Sequence, residues 1–309
     1  MKLFLTRTVL TLKKAGDWLT AQAIFALLGL LQLLPAKKAI DFVDRTARRI
    51  GPLTSRQKLA MENLRRAYPE KTEAEREEIA REMWGNMARL AAEYVFLDRI
   101  FDYDPEASEP GIIEVAGTDI FLNLRDNPRP FIVFTAHTGN FELLPIAAAA
   151  FDLDVTALFR PPNNRYVAER VMAARRTRMG NLVASHAGAA WTLARTLDQG
   201  GAVGMLVDQK FHKGVTTEFF GLPVRTNPLL AKLQRQYDCE VYPARSIRLP
   251  GGRFRLEIEP AIAIPKDEAG RVDVTATAQL LNDKVESWVR EHPGQWQWFH
   301  DRWAIKHRL

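Results

Sequence analysis

A single cysteine, Cys239, stands in 309 residues, which excludes an intrachain disulfide and any cysteine-cluster metal centre. No Ser/Gly-rich or Pro-rich linker, internal repeat or low-complexity tract interrupts the chain. Neither a Gly-x-Ser-x-Gly elbow nor a His-Glu-x-x-His pair is present. The serine-hydrolase and zinc-protease readings therefore lose their usual markers, and no metal or cofactor is assigned. Charge is missing from one stretch in particular, Trp18 to Leu34. What remains, 47% hydrophobic and 26% charged, is an ordinary globular composition with room for one large core.

The charge that is present is unevenly spread. The whole chain carries +6, whereas residues 1–58 hold eleven Lys and Arg against only Asp17, Asp41 and Asp44. A basic N-terminal segment suits nucleic acid or an anionic membrane. The uncharged run decides between them, because its flanking lysines (Lys13, Lys14, Lys37 and Lys38) suit lipid headgroups and Trp18 suits an interface. No groove-reading motif accompanies these charges, so nucleic acid is not expected as a partner. At 17 residues the run is at the short limit of the ~17–25 needed to span a bilayer. A spanning anchor, a helix lying in the interface and a buried core helix all remain open. No clean small-residue cleavage site follows, which argues against a signal peptide.

Thr72 to Ile100 reads as one long helix, opened by a capping box of Thr72 and Glu75 and carrying an apolar stripe through Ile79, Met83, Trp84, Met87 and Leu90. From Ile112 short apolar runs alternate with helical segments. Strands are predicted over Ile112–Val115, Phe131–Thr135, Val155–Phe159, Ala202–Val207, Val241–Arg245 and Phe254–Ile258. Helices are predicted over Asn140–Ala150, Tyr166–Met179, Ala189–Leu197, Pro228–Tyr237 and Val274–Glu291, with Pro145 distorting the start of the first. The pattern is α/β, with a mixed, largely parallel sheet flanked by helices and an N-terminal helical membrane-anchoring region. Its expected divisions are a membrane anchor over 1–35, a helical region over 36–110 and an α/β domain over 111–309.

Residues 131–142, FIVFTAHTGNFE, are the densest part of this pattern. A buried strand ends at Ala136-His137, Thr138-Gly139-Asn140 supply turn chemistry, and an apolar helix follows with Asn140 as its expected N-cap. His137 is thus placed at the carboxyl end of a strand, where open α/β sheets do their chemistry, with Glu142 in the first turn beyond. A histidine held by a carboxylate is a general base. A single His near a strand end can also be purely structural. Asp208 and Gln209 end another apolar strand and are expected on the same rim. Arg160 follows a third, its fork suited to a phosphate. Trp288, Trp296, Trp298 and Trp303 crowd the C-terminus, either as an interfacial belt or as an aromatic cluster closing the fold.

The string HTGNFE resembles the His-x4-Asp/Glu motif of glycerolipid-type acyltransferases, most closely the branch that adds secondary acyl chains to lipid A. Four further blocks carry the likeness in order: Asn63–Pro69 (NLRRAYP), Leu158–Asn164 (LFRPPNN), Val207–Pro223 with its DQ, Gly214 and FFGLP, and Pro293–Trp303 (PGQWQWFHDRW). The resemblance implies transfer of a fatty acyl chain from acyl carrier protein to a hydroxyl of a lipid A precursor at the cytoplasmic face of the inner membrane. It implies His137 as general base with Glu142 as its carboxylate, and Arg160, Asn163, Asp208 and Gln209 as substrate-binding residues. The acceptor hydroxyl is then the nucleophile, so the enzyme needs none of its own. The rival readings are another membrane glycolipid or phospholipid acceptor, or a non-catalytic membrane-binding relative.

Overall fold

The computed structural model describes residues 2–103, 111–159, 164–176, 180–184 and 188–304. Five helices come first: α1 (Lys2–Gln32), α2 (Ala36–Ile50), α3 (Gln57–Ala67), α4 (Glu73–Glu93) and the short α5 (Leu97–Ile100). Then follow β1 (Ile113–Ala116), α6 (Thr118–Asp126), β2 (Phe131–Thr135), α7 (Leu143–Ala150), β3 (Val155–Phe159), α8 (Arg165–Arg176), β4 (Asn181–Ala184), α9 (Ala189–Asp198) and β5 (Ala202–Leu206). The chain ends with β6 (Lys210–Phe219), β7 (Leu222–Thr226), α10 (Leu229–Tyr237), β8 (Glu240–Leu249), β9 (Arg253–Ile258) and α11 (Val274–Glu291).

Seven strands form one sheet in the order β1-β9-β8-β2-β5-β3-β4, and only the β8–β9 pairing within it is antiparallel. The architecture is therefore α/β with a mixed, largely parallel sheet flanked by helices. Strand β2, near the centre, alternates as a pleated strand must. Ile132 and Phe134 join the core that the sheet shares with Leu64 of α3, Met83 of α4, Leu193 of α9, Leu230 of α10 and Val285 of α11. Phe131 points to the opposite face, packing with Phe121 of α6 and Ala148 of α7.

The capping box at Thr72 forms as expected, its side chain accepting from the Glu75 N–H while Glu75 accepts from Thr72. The long helix does not run on to Ile100. After Glu93 the hydrogen bonds tighten to i→i−3, and the chain turns to bury Phe96 at 2% exposure before α5 begins. Helix α7 also starts later than expected. Asn140 does not cap it; its side-chain oxygen accepts from the Glu142 N–H in a local turn. Pro145 consequently falls within the first turn, where its missing N–H breaks no helical bond. The β6–β7 hairpin and β4 were not anticipated. Much of β6 is polar and exposed, so it offers no apolar run to read.

Helix α1 spans 31 residues and contains the uncharged run almost entirely. It is not a buried core helix: Leu19, Leu27 and Leu30 are each 60% or more exposed, while Ala21 and Leu31 pack inward. No helix among the described residues is long and apolar enough to cross a membrane. The C-terminal tryptophans form the fold-closing cluster. Trp296, Trp298 and Trp303 are buried and interlock with Phe219 and Phe220 at ring separations of 4.7–6.4 Å.

Phe220 sits at the hairpin tip with φ +54°, beside Gly221 at +68°. A two-residue turn with both φ positive matches the sheet's twist but strains a residue with a Cβ by about 1–2 kcal/mol. Its ring is nonetheless buried against Tyr68, Trp298 and Trp303, and emptying such a site costs about 3–5 kcal/mol. Packing wins. Phe220→Gly should relieve the backbone yet lower stability by roughly 2 kcal/mol, read as a fall in the urea midpoint.

Candidate active site

The parallel pairing of β2 with β5 sets Thr135 opposite Leu206. Two residues beyond each lie His137 and Asp208, so the register carries the imidazole and the carboxylate to the same rim. Asp208 Oδ1 lies 2.7 Å from His137 Nδ1, and Oδ2 accepts from the His137 backbone N–H at 3.0 Å and from the Trp296 indole N–H at 2.8 Å. Asp208 is 2% exposed. Burial by itself would raise its carboxyl, but the favourable electrostatics of the His137 ring and these hydrogen bonds outweigh that and hold it well below the usual carboxylate range. An ionised carboxylate can only accept, so Nδ1 carries the proton and the lone pair is on Nε2. Nε2 faces the exposed Gln209, whose side-chain amide nitrogen lies 3.3 Å away.

The carboxylate at Nδ1 is Asp208, which the strand register brings there although it is distant from His137 in sequence. Glu142 precedes α7 as its N-terminal flanking residue and is nearly buried at the edge of the cavity that His137 also lines. Arg160 and Asn163 lie outside the described residues. Beyond Gln209, the Lys210 Nζ lies 3.1 Å from Asp301, and its backbone N–H donates to His300 Nε2.

The cavity is apolar and has a volume of about 260 Å3. Its floor is one face of the sheet: Phe131, Val133 and Thr135 of β2, Val155 and Ala157 of β3, and Gly204 of β5. Phe121 and Leu124 of α6, with Leu144, Pro145 and Ala148 of α7, cover it. His137 continues the odd-numbered side of β2, so alternation delivers the base to this face of the sheet and to the cavity. The Phe141 ring stands edge-on to the imidazole at 4.9 Å.

A second polar unit supports the loop from behind. Glu93, 2% exposed, receives both guanidinium arms of Arg248 at 2.5 and 2.7 Å and the Asn140 amide at 2.8 Å. Gln295 exchanges two hydrogen bonds with the Arg248 backbone, and its carbonyl accepts from the Gly139 N–H. Gly139 has φ +58°, and a Cβ there would meet the Ser246 carbonyl oxygen at 2.1 Å. Only glycine fits. Sequence reasoning missed Trp296 and Glu93 as parts of the site. The one available signal was an acidic residue set in the apolar stretch LAAEYVF.

A strand-end histidine with its proton fixed by a buried aspartate, opening on an apolar cavity, is an arrangement able to take a proton beside an apolar group. Comparison with known proteins gives this chain a family. The family model for bacterial lipid A biosynthesis acyltransferases matches residues 4–304, and the chain belongs to that family. It is similar to a lipid A biosynthesis myristoyltransferase of Escherichia coli (strain K12), with 26% identity over 92% of this chain and 85% of the relative. It is also similar to a lipid A biosynthesis acyltransferase 1 of Shigella flexneri, with 25% identity over the same shares.

Two outcomes follow from the geometry. Asp208→Asn keeps the shape but removes the charge and can present the wrong partner to Nδ1, so kcat should fall by up to about 10⁴-fold. Near-normal turnover in the folded variant would sink the assignment. The second concerns His300, which burial pushes from 6.5 down to about 4 against the raising effect of Asp208's charge. Between those values the unfolded chain binds the proton and the folded chain does not, so stability drops as pH falls from about 6.5 to about 4. His300→Gln should flatten that part of the profile in urea melts taken across pH.

Proposed function

We propose that this protein moves a fatty acyl chain from acyl carrier protein to a hydroxyl of a lipid A precursor, with His137 as the general base. The observation that carries the proposal is the placement of one imidazole, its proton held on Nδ1 by Asp208, at an apolar cavity able to take a hydrocarbon chain. The acyl tail enters the cavity and leaves its thioester carbonyl beside His137. Nε2 takes the proton of the acceptor hydroxyl as that oxygen attacks, a new C–O bond forms and the C–S bond breaks. The imidazolium returns the proton to the departing thiolate. Asp208 stabilises the imidazolium between these steps.

Gln209, beside Nε2, is placed to steer the acceptor hydroxyl. Glu142, the carboxylate of the His-x4-Glu motif at the edge of the same cavity, is proposed to stabilise the imidazolium together with Asp208 as the proton arrives. From the family's sequence blocks, Arg160 is proposed as a contact to an acceptor phosphate and Asn163 as a substrate-binding residue. Residues 1–35 are proposed to anchor the enzyme to the cytoplasmic face of the inner membrane, where acyl carrier protein is available. The exposed leucines of α1 support this, since water is a poor solvent for such a surface.

Purified enzyme offered acyl carrier proteins of several chain lengths and a lipid A precursor tests the reaction, with another membrane glycolipid as the rival acceptor. His137→Ala should reduce transfer by ~10²–10⁴. Transfer to the rival alone would move the acceptor, and normal turnover without His137 would remove the mechanism. Gly204→Val adds a side chain on the cavity floor, within 3.2–3.4 Å of Val155 and Ala157 at its first atom. The variant should shift donor preference to shorter chains, read as kcat/KM across the acyl series.

A further inference from the structure

At 100° per residue, Lys38, Phe42, Arg45 and Arg49 fall in one narrow sector of α2, opposite the buried Ala39, Ile40 and Asp44. All four are exposed, Phe42 at 59%. Leu53, 83% exposed in the turn that follows, and the exposed Arg56 come next along the chain. Single exposed apolar residues are ordinary. Here, however, two of them alternate with four cations, and among the described residues none of those cations has a carboxylate partner. The arginines on the flank behave otherwise: Arg48, Arg65 and Arg81 pair with Asp44, Glu73 and Glu77.

We propose that this face of α2 and the turn after it is a docking surface for an anionic lipid bilayer, separate from the α1 anchor. The inference rests on the reading that the enzyme works at a membrane. Phe42 and Leu53 are eleven positions apart, about 16 Å if both were on a helix, with cations between them. A protein partner would require a contiguous apolar centre with the charge at its rim. A headgroup layer requires the opposite, isolated apolar side chains that dip between lipids while Lys and Arg meet phosphates. Helix α2 begins two residues after the exposed Leu34, so the anchor leads directly into this surface. Its attraction should be salt-sensitive, as screening weakens the cationic part.

Cys239, the sole cysteine, is buried, so Phe42→Cys and Leu53→Cys variants of the full chain can each carry an environment-sensitive fluorophore at one place. These are mixed with phosphatidylcholine vesicles with and without phosphatidylglycerol, and flotation of the same samples reports whether the chain is bound at all. Emission should shift to the blue on the anionic vesicles, and adding Arg45→Gln and Arg49→Gln should remove most of that shift while activity on detergent-dispersed substrate persists. A chain that floats with both probes still in water overturns the docking face and leaves the α1 anchor standing. A chain that does not float overturns both. A probe that responds to acyl carrier protein and not to vesicles also overturns the proposal and assigns the face to an acidic protein.

Discussion

A carboxylate taken wholly out of water holds this site together. Burying an ion without partners costs several kcal/mol, and Asp208 escapes that only because three donors surround it. Two come from His137 and one from Trp296, at 2.7–3.0 Å. Each donor is on a different path of the chain's logic. The His137 backbone N–H fixes where the loop after β2 begins, the imidazole is the proposed base, and the indole belongs to a segment 88 residues further on. The interaction that orients the imidazole therefore also ties that segment to the sheet. Orientation of the proposed base and closure of the fold cannot be separated here.

Another buried charge, Glu93, extends the same constraint to the N-terminal helices. Arg248 on β8 and Asn140 in the loop after β2 both bond to it. Removing one member of such a pair leaves an uncompensated charge, which is why buried pairs are costly to break even where they add little net stability. Asn140 consequently spends its amide on Glu93 and its oxygen on the Glu142 N–H. Helix α7 loses its expected cap, and the loop gains a fixed shape.

Much of this was legible because strand register and side-chain alternation are local and periodic. Phe131–Thr135 and Val155–Phe159 coincide with predicted strands, and helix Val274–Glu291 does so as well. His137 could be placed at a strand end from FIVFT alone. That Asp208 meets its Nδ1 could not be read, because Asp208 arrives through a pairing of strands 71 residues apart. The tryptophans were ambiguous for a related reason: density of indoles fits a membrane belt or a core, and only the acceptors tell. Trp296 finds Asp208, Trp298 the Pro293 carbonyl and Trp303 the Phe219 carbonyl, which are interior partners. The hairpin was unreadable because its interior is polar, built on Thr217, Thr226 and Asn282 around the buried Arg302.

The sheet itself is divided in use. On one face Ile132, Phe134, Val203 and Val241 are at 0% exposure and packed with α3, α4 and α9 to α11. The other face, at Val133, Ala157 and Gly204, is left as open apolar floor. Glycine in a strand interior weakens the strand by roughly 0.5–1 kcal/mol relative to alanine, and an unfilled apolar space forgoes dispersion contacts on one side. Neither feature serves stability. Both make sense if a hydrocarbon chain supplies the missing contacts during turnover, so that the well-packed face carries the fold and the substrate completes the other.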